Sequence, residues 1–158
     1  MTSVGEIMNK HVKTCLIGDT LESAAMKMWD HDIGCVAVVD GEGRPVAVLT
    51  DRDICMAAYI QGKLLAELRV ESVMSRELIA CGASDSLQAA ETLMMNHQVR
   101  RLPVVEDGKL IGILAMNDLA RAAAMKPGQK HNGVSAAEVE ATLAAICQPR
   151  TPPLTSAV

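Results

Sequence analysis

The sequence repeats itself at a nearly constant offset. Asp19–Glu22 corresponds to Asp85–Gln88 at an offset of 66 residues, and after a one-residue deletion in a later turn the offset of 65 pairs Asp53 with Asp118. A register held over about fifty residues indicates two copies of one supersecondary unit. The 158 residues therefore form two small halves of one module.

Each repeat predicts the order strand, helix, strand, strand, helix. Asp19 and Asp85, each followed three residues later by Glu or Gln, resemble the capping box that begins a helix. Apolar residues then recur at helical spacing, and two short apolar runs separated by turn residues predict a hairpin. These strands are apolar nearly throughout, which is typical of sheets covered on both faces. A second helix is expected to begin at Asp53 and at Asp118.

A single repeat of about fifty residues buries too little surface to be stable alone, so the two repeats are expected to pack together. The predicted fold is α+β, with two β-α-β-β-α repeats packed about a pseudo-twofold axis, plus a short C-terminal helix. That helix follows a capping box at Ser135 and places Val139, Leu143 and Ile146 on one face. The predicted divisions are repeat 1 at 1–61, a linker at 62–69, repeat 2 at 70–125, an extension with the short helix at 126–148, and a disordered tail at 149–158.

Composition excludes several functions. The formal charge is −4, and the aromatic residues are Trp29 and Tyr59 with no Phe, so nucleic acid is not an expected partner. The longest apolar run, 110–116, is too short to span a membrane, which needs about 18 residues. The first twenty residues contain no apolar signal region, and the five cysteines form no C-x-x-C pair. We therefore expect a cytoplasmic protein with reduced thiols.

The repeats resemble the CBS domain family, named after cystathionine β-synthase, whose domains occur in tandem pairs called Bateman modules. The resemblance covers Val4–Ile54 and Val70–Leu119. It is carried by Val4–Met8 and Val70–Met74, by Arg101–Val105 and by Ala47–Asp53. These motifs occur in order, and their combination is specific although each alone is weak.

The resemblance implies that the clefts between the repeats bind adenosine compounds: AMP, ADP, ATP or S-adenosylmethionine. A Thr/Ser-x-x-Asp motif supplies the family's key polar groups, and repeat 1 carries it as Thr50 to Asp53. A carboxylate can accept hydrogen bonds from both ribose hydroxyls, and the adjacent helix N-terminus suits phosphate. Carried over residue by residue, the first cleft consists of Thr50, Arg52, Asp53, Ala80, Cys81, Arg100, Arg101 and Leu102. Its three arginines favour phosphorylated ligands.

The second cleft is expected to be weaker. It combines Cys15, Cys35 and Val36 with Asn117 and Asp118, lacks the threonine of the first motif, and gains no cation from these positions. If occupied, it would prefer a less charged ligand.

Plainer interpretations stay open at several positions. Asp53 and Asp118 could serve only as helix caps, although a cap uses one carboxylate oxygen and leaves the other available. Arg52 could be simply exposed, and Arg100 and Arg101 could be solvated surface charges. Residues adjacent on a strand point to opposite faces, so at most one of these two is expected to face the cleft unless the strand begins later.

Cys15 and Cys81 occupy equivalent positions and are interpreted as small apolar side chains lining a pocket rather than as metal ligands or redox groups. No metal site and no required cofactor are expected. Because the second helices (Ile54, Ala57 and Ala58; Leu119, Ala122 and Ala123) are apolar, we expect them to be exposed in one module and to pair two modules into a homodimer.

Three function classes remain to be compared. The favoured one is a regulatory module that senses an adenosine compound and changes its conformation or its affinity for an unknown regulated protein. The alternative is a structural or protein-interaction module with no physiological nucleotide. An enzyme is not expected, because no catalytic motif occurs and the repeats account for most of the chain.

Overall fold

The structure is a computed structural model that describes residues 2–125 and 133–150. Repeat 1 contains α1 (Val4–Ile7), β1 (Thr14–Leu16), α2 (Leu21–Asp30), β2 (Cys35–Val39), β3 (Pro45–Thr50) and α3 (Asp51–Gln61). Repeat 2 contains β4 (Cys81–Gly82), α4 (Leu87–His97), β5 (Arg101–Glu106), β6 (Lys109–Ala115) and α5 (Met116–Ala123), and α6 (Ala136–Ile146) follows. Short 3-10 turns lie at Leu65–Glu67 and Val70–Ser72. The predicted α+β fold and its element order are confirmed.

Each repeat forms one three-stranded sheet. The first strand pairs in parallel with the second, and the second pairs antiparallel with the third, in the orders β1-β2-β3 and β4-β5-β6. Every residue of β2 is buried. This agrees with the expectation, drawn from its continuous apolar sequence, of a sheet covered on both faces.

The two repeats exchange their leading segments. Val4 of α1 is fully buried in the core of repeat 2, whereas Val70 is fully buried in the core of repeat 1. The residue after each leading turn then pairs with the opposite sheet: Asn9 with Ile113 through two backbone hydrogen bonds of 2.9 Å, and Ser75 with Val48. Because the leading segment of each repeat packs in the core of the other, the exchange fixes the relative position of the two repeats.

A glycine makes room for this crossing. Gly112 lies in β6, where a Cβ atom would overlap the side chain of Met8 and come within 3.2 Å of the Asn9 carbonyl oxygen. The leading segment can therefore lie directly on the strand only because position 112 has no side chain.

The helices begin one or two residues away from the predicted positions. Thr20 and Ser86, not the preceding aspartates, cap α2 and α4 by accepting hydrogen bonds from the amides three residues later. The aspartates instead accept from amides in the preceding turns: Asp19 from Leu16 at 3.0 Å, and Asp85 from Gly82 at 2.7 Å. The prediction was wrong because either polar residue of the pair can act as a cap.

The second helices begin two residues before the predicted Asp53 and Asp118. Thr50 and Ala115 are the cap positions of α3 and α5, and the two aspartates lie in the first helical turn. This placement matters for function because it directs each carboxylate back toward the end of the preceding strand.

The C-terminal helix α6 is confirmed, with its capping box between Ser135 and Glu138. Its predicted apolar face is wrong in one position: Leu143 is 43% exposed, whereas Thr142 is buried. The buried face is shifted because the Thr142 hydroxyl finds a polar partner, the Glu91 carboxylate on α4 at 3.3 Å. Residues 126–132 of the predicted extension and most of the predicted tail lie outside the described residues.

The expected exposure of the second helices is also wrong in part. Ile54 and Ala57 belong to the core of repeat 1, and Leu119 and Ala122 belong to that of repeat 2, because these helices turn their apolar faces inward.

Within the described residues, no helix has the length and apolar character needed to cross a bilayer.

Candidate ligand-binding cleft

A cleft of about 730 Å³ lies between the repeats, where the start of α3 meets the turn before β5. Repeat 1 contributes Cys35, Val48, Thr50, Asp51, Arg52 and Asp53 to its lining; the rest of the chain contributes Ser75, Glu77, Ile79, Gln98, Val99, Arg100, Arg101, Ile146, Cys147 and Arg150. Five residues predicted for the first site, Thr50, Arg52, Asp53, Arg100 and Arg101, are thus brought together. Four arginines and three acidic residues make the lining strongly polar.

Asp53 has one carboxylate oxygen committed to the fold. Its Oδ2 accepts hydrogen bonds from the Thr50 amide at 2.9 Å and the Thr50 hydroxyl at 2.6 Å, while Thr50 Oγ1 accepts from the Asp53 amide. Within the described part of the chain, Oδ1 has no hydrogen-bond partner. Asp53 therefore caps α3 and retains an acceptor along the cleft.

Arg101 reaches from repeat 2 to repeat 1. A Cβ atom built on Gly34 would lie 3.4 Å from Arg101 Nη2 and 3.2 Å from Asp51 Oδ2, so both charged groups occupy space that glycine leaves open. The neighbouring Cys35 is buried, and burial raises the pKa of its thiol, with Arg101 opposing and Asp51 reinforcing the shift. Cys35 is thus a neutral, apolar part of the wall.

Arg100 and Arg101 both line the cleft, because β5 begins at Arg101 and strand alternation does not apply to the residue before it. Arg52, in the first turn of α3, is exposed beside them. Among residues 2–125 and 133–150, no carboxylate lies within salt-bridge distance of these three guanidinium groups. Their positive charge is available to a ligand.

Three other residues predicted for the site do not line the cleft. Cys81 and Leu102 are buried in the core of repeat 2, where burial raises the pKa of the Cys81 thiol to about 12. Ala80 is half-buried next to the lining residue Ile79. Strand alternation explains the difference for Leu102, because its neighbour Arg101 occupies the outward position.

Most residues of the predicted second site are buried or hydrogen-bonded within the repeats. Asp118 is 7% exposed; its Oδ2 accepts from the Ala115 amide at 2.7 Å, and its Oδ1 accepts from the Arg121 guanidinium. Cys15 and Val36 are buried in the core of repeat 1, and burial raises the pKa of the Cys15 thiol to about 11. Asn117 is exposed, and Cys35 lies in the first cleft.

Sequence reasoning missed the contribution of the C-terminal extension. Ile146, Cys147 and Arg150 line the cleft although they lie beyond both repeats. The only available signal was the predicted helix after Ser135, and nothing in its periodicity identifies what it packs against. For metals, the described residues hold no group of three or more His, Cys, Asp or Glu side chains arranged for an ion.

Comparison with known proteins identifies the family. The family model of the CBS domain matches residues 4–59 and again residues 70–125. The chain belongs to the CBS domain family and carries two such domains in tandem. Such pairs are regulatory modules, and no catalytic family is indicated.

Relatives support this assignment. The CBS domain-containing protein YhcV of Bacillus subtilis (strain 168) is 40% identical over 120 residues, covering 76% of this chain and 84% of the relative. The crystal structure of Hypoxic Response Protein I with two coordinated zinc ions is 32% identical, with a TM-score of 0.70 over 76% of this chain and 98% of the other. The CBS domain pair of protein MJ0100, in complex with 5'-methylthioadenosine and S-adenosyl-L-methionine, is 25% identical with a TM-score of 0.68, covering 77% and 94%.

Proposed function

We propose that this protein is a sensor that binds an adenosine-containing ligand in the cleft at Asp53. The observation that carries the proposal is that Asp53, whose Oδ1 has no hydrogen-bond partner among residues 2–125 and 133–150, lines a cleft to which the other repeat supplies arginines. An acceptor for ribose hydroxyls and cations for phosphate are the two features that such a ligand needs.

The difference between Asp53 and Asp118 supports one preferred site. Both oxygens of Asp118 are used within the chain. Arg100 and Arg101 of the first cleft correspond to Gly34 and Cys35 at the equivalent positions of repeat 1. The complex of the MJ0100 domain pair with two adenosine compounds supports the ligand class. The charge of this cleft favours AMP, ADP or ATP over S-adenosylmethionine.

Binding is proposed to change the conformation of the module or its affinity for a regulated protein. Because both repeats contribute to the wall, a ligand there can bias their relative arrangement. We further propose that the protein is a homodimer and acts in the cytoplasm, where its five free cysteines would stay reduced. The alternative, an interaction module without a ligand, is favoured by no particular observation.

Parallel calorimetric titrations with adenosine, AMP, ADP, ATP and S-adenosylmethionine test the proposal. In Asp53→Asn, the amide oxygen can keep the helix cap, but the amide nitrogen cannot accept a ribose hydroxyl. Loss of one charged hydrogen bond is expected to weaken affinity about 10- to 100-fold. Asp118→Asn is the matched control and is expected to leave affinity unchanged. Absence of binding to the unmodified protein, or equal losses in both variants, would contradict the proposal.

A further inference from the structure

The C-terminal extension forms part of the cleft wall. Ile146, Cys147 and Arg150 line the cleft together with the residues of the two repeats, yet they lie outside the family match at residues 4–59 and 70–125. We call residues 146–150 the cover segment. It brings a fourth arginine to a site whose other cations come from the repeats.

The cover segment is tied to the turn that carries the cleft arginines. Gln98, in a left-handed conformation with φ of 50°, accepts from Arg150 Nη2 at 2.7 Å through its carbonyl oxygen and donates from its side chain to the Gln148 carbonyl at 3.0 Å. Arg100 Nη2 donates to Cys147 Sγ at 3.7 Å. The segment therefore has a defined position relative to Arg100 and Arg101.

Helix α6 holds the segment from the other side. Ile146 is 7% exposed and belongs to the core of repeat 2. Side-chain hydrogen bonds from Thr142 to Glu91 and from Gln88 to Glu138 join α6 to α4. The equivalent place in repeat 1 is an open groove of about 420 Å³ lined by Trp29, Ile33 and other residues of the α2 and α3 side. In the part of the chain that the structure describes, the helix pair of repeat 2 therefore carries such a helix and that of repeat 1 does not.

We propose that the cover segment completes the ligand site and that Arg150 selects ligands with more than one phosphate. This inference rests on the proposed function and specifies its ligand as a nucleoside di- or triphosphate. Arg101 is held beside Gly34, whereas Arg150 is held at Gln98, so a chain of phosphates can contact both guanidinium groups more readily than a single phosphate. The Gln98 contact uses one N–H group of Arg150 and leaves others for bidentate contact with phosphate.

The first test is a comparison of AMP and ATP affinities by calorimetry. Arg150→Ala is expected to weaken ATP binding about 10-fold or more, as for the loss of a hydrogen bond between charged groups, while changing AMP binding much less. Arg44→Ala is the matched control, because it removes the same charge from a partly exposed arginine in the β2–β3 turn, outside the cleft lining. Equal losses for AMP and ATP, or no loss, would overturn the role of Arg150.

Hydrogen–deuterium exchange supplies a second readout that needs no variant. The Cys147 and Gln148 amides donate to carbonyls of the last helical turn, and ATP is expected to slow their exchange because the bound ligand would hold the cover segment in place. Protection at 50–53 and 98–101 without protection at 147–148 would overturn the cover alone. Protection at none of these positions would overturn both the cover and the proposed function.

Discussion

At the residue scale, the division of work between the two oxygens of Asp53 defines the site. One oxygen holds the first turn of α3 and the other has no partner in the described part of the chain, whereas Asp118 has both oxygens engaged by Ala115 and Arg121. The same residue type at the same position of the repeat thus has different hydrogen-bond partners in the two repeats. The difference arises from a single neighbour, because Arg121 supplies a cation that its counterpart Met56 in repeat 1 cannot.

Arg101→Ala is expected to remove most of the preference for AMP over adenosine while leaving adenosine binding nearly intact. Its guanidinium lies in the cleft without a carboxylate partner in the described part of the chain, so it is free to contact phosphate. In the unmodified protein, added salt should weaken AMP binding only in part, because charges are screened over about 10 Å at 0.1 M salt but less where the contact is buried. Titrations with both ligands at two salt concentrations measure this. Adenosine binding as tight as AMP binding would remove the phosphate role.

At the element scale, pattern predicted the number, type and order of the strands and helices, but local chemistry decided where helices begin. The pairs Asp19-Thr20 and Asp85-Ser86 each offer two good caps, and sequence alone does not rank them. The structure uses the hydroxyl for the helix and the carboxylate for the preceding turn. The sequence pattern likewise could not predict that β5 begins at Arg101, although this start allows Arg100 and Arg101 both to line the cleft.

Thr20→Ala tests the cap assignment. The Thr20 hydroxyl accepts from the Ser23 amide, and loss of such a cap costs about 1 kcal/mol of folding free energy. Glu22→Ala is the control, because Glu22 is exposed and is not the partner of the cap. Urea unfolding of both variants measures the difference. A larger loss in Glu22→Ala than in Thr20→Ala would restore the capping box predicted at Asp19.

The packing of α6 on α4 is expected to depend on pH through Glu91. Burial, reinforced by the nearby Glu138, raises the pKa of the Glu91 carboxyl, and the hydrogen bond from Thr142 opposes this shift only in part. A carboxyl with a raised pKa in the folded state stabilises most below its unfolded pKa, about 4.3, and loses that contribution as pH rises toward the folded value. Stability should therefore fall over this interval relative to Glu91→Gln, which cannot ionise.

Thermal unfolding of the two proteins between pH 4 and pH 8 measures the effect. The difference between them isolates Glu91 from carboxyls that titrate in the opposite sense, such as Glu138, whose pKa is lowered by hydrogen bonds from Ser135. Parallel curves across the range would show that Glu91 ionises as freely in the folded chain as in the unfolded one.

At the scale of the whole molecule, the internal repeat predicted two matched halves, and the structure shows where they differ. The exchange of leading segments keeps the halves alike at the core, but α6 covers the helices of repeat 2, whereas a groove stays open beside those of repeat 1 among the described residues. A sequence with one C-terminal helix cannot reveal which of two similar surfaces it covers, because both repeats offer the same apolar pattern. The cover segment and Arg150 were missed for this reason.

The open face of repeat 1 is where a homodimer is expected to form. Met26, Trp29, Tyr59 and Ile60 are between 60% and 87% exposed on α2 and α3. Several large apolar side chains exposed on one helix pair are typical of an interaction surface. Because α6 already covers part of the equivalent face of repeat 2, a twofold dimer should form through repeat 1.

Trp29 is the only tryptophan, so its fluorescence should shift to the blue as protein concentration rises. Trp29→Glu should give a monomer in sedimentation equilibrium, whereas Leu143→Glu, on the exposed side of α6, should not. A monomer mass for the unmodified protein at every concentration would contradict the dimer, and a dimer that persists in Trp29→Glu would place its interface elsewhere.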